Sequence, residues 1–254
     1  MVLTAIQLFT VQDLSEDESL RRTLDRVADA GYDGVELNEE WYPLVDGTHR
    51  VDVDDLSLSV PAVQIPFSTL SEQFDDVLAT YDPFSCRDYV IPYLDEDHFE
   101  SWSTVKSVAE LLSELATRLD AHDCRLHYHN HDFEFVSVDG GAAFDILVEE
   151  TDDIRFEVDV GWAAAGGRDP VALLGELDGR VDLVHLKDMD VDRREPAELG
   201  AGDVDLDACV DAAERTGADW LVYEYDFPPD PAASIEHAGE WFRARWRPDT
   251  GRQQ

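Results

Sequence analysis

Residues 125–134 read Arg125-Leu126-His127-Tyr128-His129-Asn130-His131-Asp132-Phe133-Glu134. In Arg125–Asn130, histidines alternate with apolar and aromatic residues, a period of two that predicts a strand. Just upstream, Phe99 to Leu119 carries Val108, Leu111, Leu112 and Leu115 at helical spacing. One helix therefore feeds one strand.

The same unit recurs in both directions. Upstream strands are predicted at Thr4–Phe9, Gly34–Leu37, Ser59–Ile65 and Asp88–Tyr93, and downstream strands at Arg155–Asp159, Leu183–Lys187 and Trp220–Glu224. Ser15-Glu16-Asp17-Glu18 forms a capping box before a helix with Leu20, Leu24 and Val27 on one face, and Gly31 supplies its stop. Asp169-Pro170 begins another helix, and Ala232 to Trp246 forms the last. Asp188–Asp203 reads as one long loop after the seventh strand. Eight strands alternating with helices in about 250 residues predict one α/β domain, a single (β/α)8 TIM barrel over residues 1–247, with 248–254 as a frayed tail. A doubly wound open sheet needs fewer strands, and no Gly-x-Gly-x-x-Gly follows the first strand.

The 254 residues carry 58 Asp+Glu against 19 Lys+Arg, a formal net charge of 19 − 58 = −39. A field of that sign repels phosphate backbones and anionic lipid, which argues against nucleic acid and membrane surfaces as partners. With 44% apolar and 10% aromatic residues the chain still has material for a core. It has no apolar run of about 18 residues and no basic-then-apolar leader, which predicts a cytoplasmic protein. Cys86, Cys124 and Cys209 are scattered and odd in number, so they are expected as reduced core thiols. The acid excess runs along the whole chain, and lysine is confined to Lys106 and Lys187. That pattern predicts a halophilic source whose cytoplasmic salt shortens the Debye length toward about 3 Å. Asp52–Asp55 and Asp203–Asp211 are expected as solvated surface.

Barrel strands are buried on both faces, so their polar residues are the informative ones. His127, His129 and His131 share one face of the fifth strand, as do Glu157 and Asp159 in the sixth and His185 and Lys187 in the seventh. Glu224 stands between Tyr223 and Tyr225 in the eighth, and Gln7, Glu36 and Gln64 lie near the ends of the first three. Singly each has an ordinary explanation: a strand histidine is usually a hydrogen-bonded core residue, Glu36 caps a helix, and Lys187 pairs with Asp188. Four successive strands ending in His, Asp or Glu are harder to explain, because burying so many ionisable groups costs several kcal/mol apiece. A divalent cation offsets that cost. Imidazole with carboxylates suits one Mn²⁺, Mg²⁺ or Co²⁺, and Zn²⁺ is also compatible.

The chain resembles the xylose isomerase-like barrel superfamily, in particular its sugar phosphate isomerase/epimerase branch. The matching stretches are Leu8-Phe9-Thr10, Gly31 to Leu37, Tyr128-His129-Asn130-His131-Asp132-Phe133-Glu134-Phe135, Glu157-Val158-Asp159-Val160-Gly161-Trp162, His185-Leu186-Lys187-Asp188, Gly200 to Asp205 and Val222 to Asp226. The His-Asn-His-Asp-Phe-Glu run and the Asp-Val-Gly-Trp turn are the specific ones. The resemblance implies one divalent metal ion held by Glu134, Asp159, His185 and Glu224 from the ends of strands five to eight. Glu134 lies beyond its strand, and His127 or His129 is within reach in its place. Gln64 stands where the family often has histidine.

The implied chemistry is proton abstraction beside the carbonyl of a ketose or keto-sugar, with Glu134 and Glu224 as the acid/base pair and an enediolate between them. His129, His131 and Lys187 would hydrogen-bond the substrate, with Glu36 and Gln64 as further contacts. Trp162 stacks on the sugar face or serves as a core aromatic beneath the mouth. The reaction is 1,2-isomerisation or C3 epimerisation. A metal-dependent dehydratase of a keto-inositol or keto-sugar shares the enolate but expels a β-hydroxyl. A non-catalytic sugar-binding barrel is disfavoured by Asp159, His185 and Glu224, and endonuclease IV-like repair by the lack of a basic face. Gly200-Ala201-Gly202 reads as a loop turn before a phosphate site. The expected partner is a small-molecule sugar, and a homo-oligomer is compatible with the sequence.

Overall fold

The computed structural model describes residues 2–16, 19–45, 47 and 57–245. Eight parallel strands close a barrel: β1 (Leu3–Gln7), β2 (Gly34–Asn38), β3 (Val63–Gln64), β4 (Asp88–Ile91), β5 (Arg125–His129), β6 (Arg155–Asp159), β7 (Val181–Leu186) and β8 (Trp220–Tyr223). Each pairs with its neighbours in chain order, and β8 closes on β1 with Ile6 opposite Tyr223. The predicted (β/α)8 barrel is the observed fold. β3 is far shorter than expected because Pro61 and Pro66 have no N–H to give a ladder. Ser59 makes only an isolated bridge to Gly34. A Cβ on Gly34 would lie 2.8 Å from both the Ser59 carbonyl oxygen and the Trp220 ring, so only glycine fits there.

Three helices show how local sequence sets the scaffold. The first, α1 (Leu20–Asp29), buries Leu20, Thr23, Leu24 and Val27 as its spacing predicts. Its N-cap is Ser19, whose side chain accepts from the Arg22 N–H, and a 3-10 segment occupies Leu8–Glu16. The expected cap at Ser15 is therefore displaced by four residues; Asp17 and Glu18 lie outside the described residues. The longest helix, Trp102–Asp120, is closed by a Ser101/Thr104 capping box, and Phe99 sits before it in a 3-10 turn. Val105, Val108, Leu112, Leu115 and Leu119 form its buried stripe, while Leu111, expected on that face, is 49% exposed at the stripe's edge. Pro170–Glu176 starts as expected, with Asp169 accepting from the Val171 and Ala172 N–H groups. The last helix spans Pro231–Arg245; Trp246 and the expected tail lie outside the described residues, as does Asp52–Asp55.

Strand register carries the fold into the site. Gln7 lies opposite Glu36, His129 opposite Glu157, and Asp159 opposite His185. The last pairing depends on a register shift between β6 and β7, where Phe156 faces Val181 but Glu157 faces Leu183. The extra residue, Asp182, drops to the amino end of the barrel and pairs with Arg125 at 3.0 Å and with Arg155. His127 also belongs to that end, with Nε2 2.7 Å from Asp88 Oδ1. It shares a face with His129 yet does not reach the mouth.

The segment after β7 is not one loop. Asp188–Asp190 and Glu195–Ala197 pair antiparallel in a small hairpin. Cys86, Cys124 and Cys209 are free and buried, while Asp203, Asp205, Asp207 and Asp211 are exposed. Among the described residues, no helix is long and apolar enough to cross a membrane.

Candidate functional site

At the carboxyl end of the barrel, His129, Asp159, His185 and Glu224 each present one ligand atom, and these atoms lie within 4.8 Å of one another. All four side chains are buried. Asp159 ends β6 and caps the next helix: Oδ1 accepts the Trp162 N–H at 2.7 Å, and Oδ2 accepts no hydrogen bond. The Lys187 ammonium lies 3.2 Å from that bare oxygen. Asn130 ties the strand end in place, accepting from the Asp159 N–H at 3.0 Å and donating to its carbonyl at 3.1 Å.

Beneath these four lies a second layer of carboxylates and amides. Glu157 Oε2 accepts from Gln64 Nε2 at 3.0 Å and lies 3.1 Å from both His129 Nδ1 and His185 Nε2. Glu36 Oε2 accepts from Gln7 Nε2 at 2.8 Å and lies 2.7 Å from His185 Nε2. His185 Nδ1 is left facing Glu224 Oε2 at 3.0 Å.

The charges in this stack hold one another. Burial alone would strip the proton from His185, but Glu157, Glu224 and Glu36 outweigh it and raise the imidazole well above its usual range. Burial would raise Glu224; Lys187 and His185 instead hold it below the carboxylate range. Burial pushes Glu36 up, and the neighbouring Glu157 charge adds to that. The buried Lys187 stays an ammonium because Asp159, Asp226 and Glu224 surround it. Burial, with the Lys187 ammonium nearby, lowers His131 well below the usual range, so its ring is neutral.

Of the four residues implied as metal ligands, the structure gathers Asp159, His185 and Glu224, with His129 as the fourth member. Glu134 is engaged elsewhere: Tyr128 Oη donates to it at 2.6 Å and the His131 N–H at 2.9 Å, from a short 3-10 turn at Phe133–Phe135. Burial raises it to about 8 despite those donors. Glu36 is fully buried under His185 and does not line the cavity. Lys187 does not pair with Asp188; its partners are Asp159, Glu224 and Asp226. Asp188 instead accepts the N–H groups of Met189, Gly200, Gly202 and Val204 at 2.8–3.2 Å and the Ala201 N–H donates to the Glu198 carbonyl, so the Gly200-Ala201-Gly202 turn has no free amides for a phosphate. Sequence reasoning placed Glu157 on the face of Asp159 without giving it a role, and left out Asp226. Asp226 was signalled by its parity with Glu224, two residues earlier.

Above the four residues opens a cavity of about 430 Å³. His129, His131, Lys187, Glu224 and Gln64 form its polar floor, and Trp162 its side, with the Lys187 ammonium 4.8 Å from the indole centroid. The arrangement can hold a cation and a polyhydroxy ligand side by side.

No curated protein sequence matches the chain. Among solved structures, a sugar phosphate isomerase/epimerase from Parabacteroides distasonis superposes with a TM-score of 0.80 at 19% identity, covering 96% of this chain and 94% of that one. The probable 3-DHS dehydratase AsbF of Bacillus anthracis gives 0.76 at 12% identity, over 95% and 98% of the two chains. An L-ribulose 3-epimerase gives 0.68 at 18%, over 96% and 94%. At these identities the likenesses establish a shared fold. The sequence model of the xylose isomerase-like TIM barrel matches residues 88–245, more than half of the chain and all four clustered residues. The chain belongs to the xylose isomerase-like TIM barrel family.

Proposed function

We propose that the protein is a divalent-metal-dependent sugar isomerase or epimerase that moves a proton at a carbon beside a carbonyl. The supporting observation is the buried set His129, Asp159, His185 and Glu224, in which Asp159 Oδ2 accepts no hydrogen bond and has the Lys187 ammonium beside it at 3.2 Å. Two imidazoles and two carboxylates suit Mn²⁺, Mg²⁺, Co²⁺ or Zn²⁺. His129 would offer Nε2 and His185 Nδ1, since the other nitrogen of each faces Glu157 or Glu36. Such an ion supplies positive charge where the substrate oxygen becomes an enolate.

The remaining work falls to the chain's own groups. Glu224 is ionised and faces the cavity, so it takes the proton from carbon and, once protonated, returns a proton to the enediolate carbon. Its present partner Lys187 also touches both Asp226 oxygens, at 2.9 and 3.1 Å, and can withdraw onto them while keeping its charge. Lys187 then holds a substrate hydroxyl. His131, neutral and with a buried Nδ1 that has no partner, hydrogen-bonds another. Trp162 covers a sugar face. Glu134 holds the His131 turn and acts as a positioning residue.

The test is proton NMR of a panel of unphosphorylated ketoses and keto-inositols in D₂O with Mn²⁺ supplied. Deuterium entering beside the carbonyl, in a product of otherwise unchanged mass, is the expected result; loss of water would mark a dehydratase. Glu224→Gln should slow the exchange by roughly 10²–10⁴-fold with metal bound, the usual contribution of a positioned acid or base. Wild-type exchange in that variant would remove Glu224 from the role.

A further inference from the structure

The opening of the cavity carries apolar rings that the proposed proton transfer does not use. Phe9 follows β1, Trp41 follows β2, Tyr93 follows β4 and Phe227 follows β8, and all four line the cavity. Trp41 is 43% exposed, Tyr93 46% and Phe227 61%. Phe9 stands edge-on to both Trp41, at 5.8 Å between centroids, and Phe227, at 5.3 Å. Phe227 also sits at φ +56°, in the left-handed region that a bulky side chain occupies only under strain. A strained backbone that presents a ring largely to water does not serve the stability of the fold. Its place over the cavity points to a ligand.

Charge narrows the ligand further. The charged groups of the lining are Glu40, Glu224 and Asp226 against Lys187, and Lys187 is already matched by carboxylates on three sides. Arg194, from the nearby hairpin, is paired with Asp132 at 2.6 Å. Among the described residues, no arginine lines the cavity to receive a phosphate, and the amides of the Gly200–Gly202 turn are taken by Asp188 and, at Ala201, by the Glu198 carbonyl. A volume near 430 Å³ falls in the range of pockets that enclose drug-sized ligands, about 300–1,000 Å³.

We infer that the substrate is a neutral sugar carrying a second, uncharged ring, with the sugar on the polar floor and the second ring held among Phe9, Trp41 and Phe227. Sugar and aromatic rings both present flat C–H or π faces that stack on such a rim. The inference rests on the proposed sugar-transforming function of the same cavity. If the second ring is joined through the anomeric carbon, that carbon has no free carbonyl, 1,2-isomerisation of that sugar is closed, and epimerisation beside a ring ketone remains.

Binding rather than turnover tests this, by calorimetry with Mn²⁺ supplied. The probes are methyl glucoside, phenyl glucoside (both anomers of each) and glucose 6-phosphate. Phenyl glucoside should bind about 5–10-fold more tightly than methyl glucoside, and glucose 6-phosphate more weakly than either. Trp41→Ala and Phe227→Gly, both at exposed positions, should bring the phenyl-to-methyl ratio close to one while leaving methyl glucoside affinity within about twofold. Equal affinities in the wild type, or tightest binding by the phosphate, would overturn the inference. So would a wild-type dimer that either variant converts to monomer with the ratio unchanged, since a second copy would then cover the rim. Because no turnover is read, failed deuterium exchange with the preference intact would reject the isomerase assignment and leave the rim standing.

Discussion

His129 Nδ1 lies 3.1 Å from Glu157 Oε2, and that contact decides which nitrogen the ring offers to the cavity. Donating Nδ1–H to a carboxylate fixes the tautomer with Nε2 bare and makes it a better ligand. The same Glu157 oxygen lies 3.1 Å from His185 Nε2, so one side chain orients both imidazoles. Glu157→Gln should therefore leave a folded barrel by circular dichroism but weaken Mn²⁺ binding about 10–100-fold. Unchanged affinity would show that the histidines are oriented by packing alone.

Metal uptake should expel protons. His185 is held protonated by Glu157, Glu224 and Glu36, and an imidazolium cannot be a ligand. Its pKa is raised in the folded state, so the stability it contributes is complete below about 6.5, the unfolded value, and is lost as pH rises through the higher folded value. Mn²⁺ affinity should run the opposite way and increase with pH across that window. Calorimetry in buffers of different ionisation enthalpy should find about one proton released per Mn²⁺ near neutral pH. Zero release would mean that His185 is neutral or outside the ligand set.

Glu134 separates a ligand from a positioning residue. Glu134→Gln can keep both contacts, with the amide oxygen accepting the His131 N–H and the amide nitrogen donating to Tyr128 Oη, so Mn²⁺ affinity should stay within about threefold of wild type. The stability profile should change. Burial raises Glu134 from 4.5 to about 8, so its contribution is full below about 4.5 and lost as pH rises through about 8. The variant has no such loss and should gain relative to wild type between those limits, by at most about 5 kcal/mol. Urea unfolding at pH 5 and pH 9 reads the difference; a parallel pair of profiles would place the Glu134 carboxyl in water.

Much of this was legible in the sequence because barrel strands advertise themselves. Burial on both faces of a strand makes its polar residues conspicuous, and the coincidence of such residues at the ends of successive strands singles out Asp159, His185 and Glu224. His129 and Glu134 were harder to rank. They are five residues apart, and a 3-10 turn at Phe133–Phe135 directs the Glu134 carboxyl to Tyr128 and the His131 amide. His127 has the parity of a site residue, but strand parity fixes the face and not the depth, and Asp88 holds it at the other end of the barrel. The hairpin after β7 was hidden because its strands are only three residues long and polar. The rim aromatics lay in sight at the ends of four strands, yet exposure and the strained Phe227 backbone emerge only in three dimensions.

The −39 charge should make salt a stabiliser. Self-repulsion among surface carboxylates is screened as the Debye length falls from about 10 Å at 0.1 M to about 3 Å at 1 M. The thermal midpoint should rise by several degrees or more between 50 mM and 2 M KCl. An equal midpoint in both would remove the proposed adaptation to high salt.

The most direct measurement is a titration of chelator-stripped protein with Mn²⁺, read by electron paramagnetic resonance in 1 M KCl so that surface carboxylates are screened. One Mn²⁺ should bind per chain, the site should vanish in Asp159→Ala and His185→Ala with the barrel still folded, and it should persist in Glu134→Gln. A wild type that binds no Mn²⁺ under these conditions, or full occupancy in Asp159→Ala, would contradict a metal centre built from His129, Asp159, His185 and Glu224.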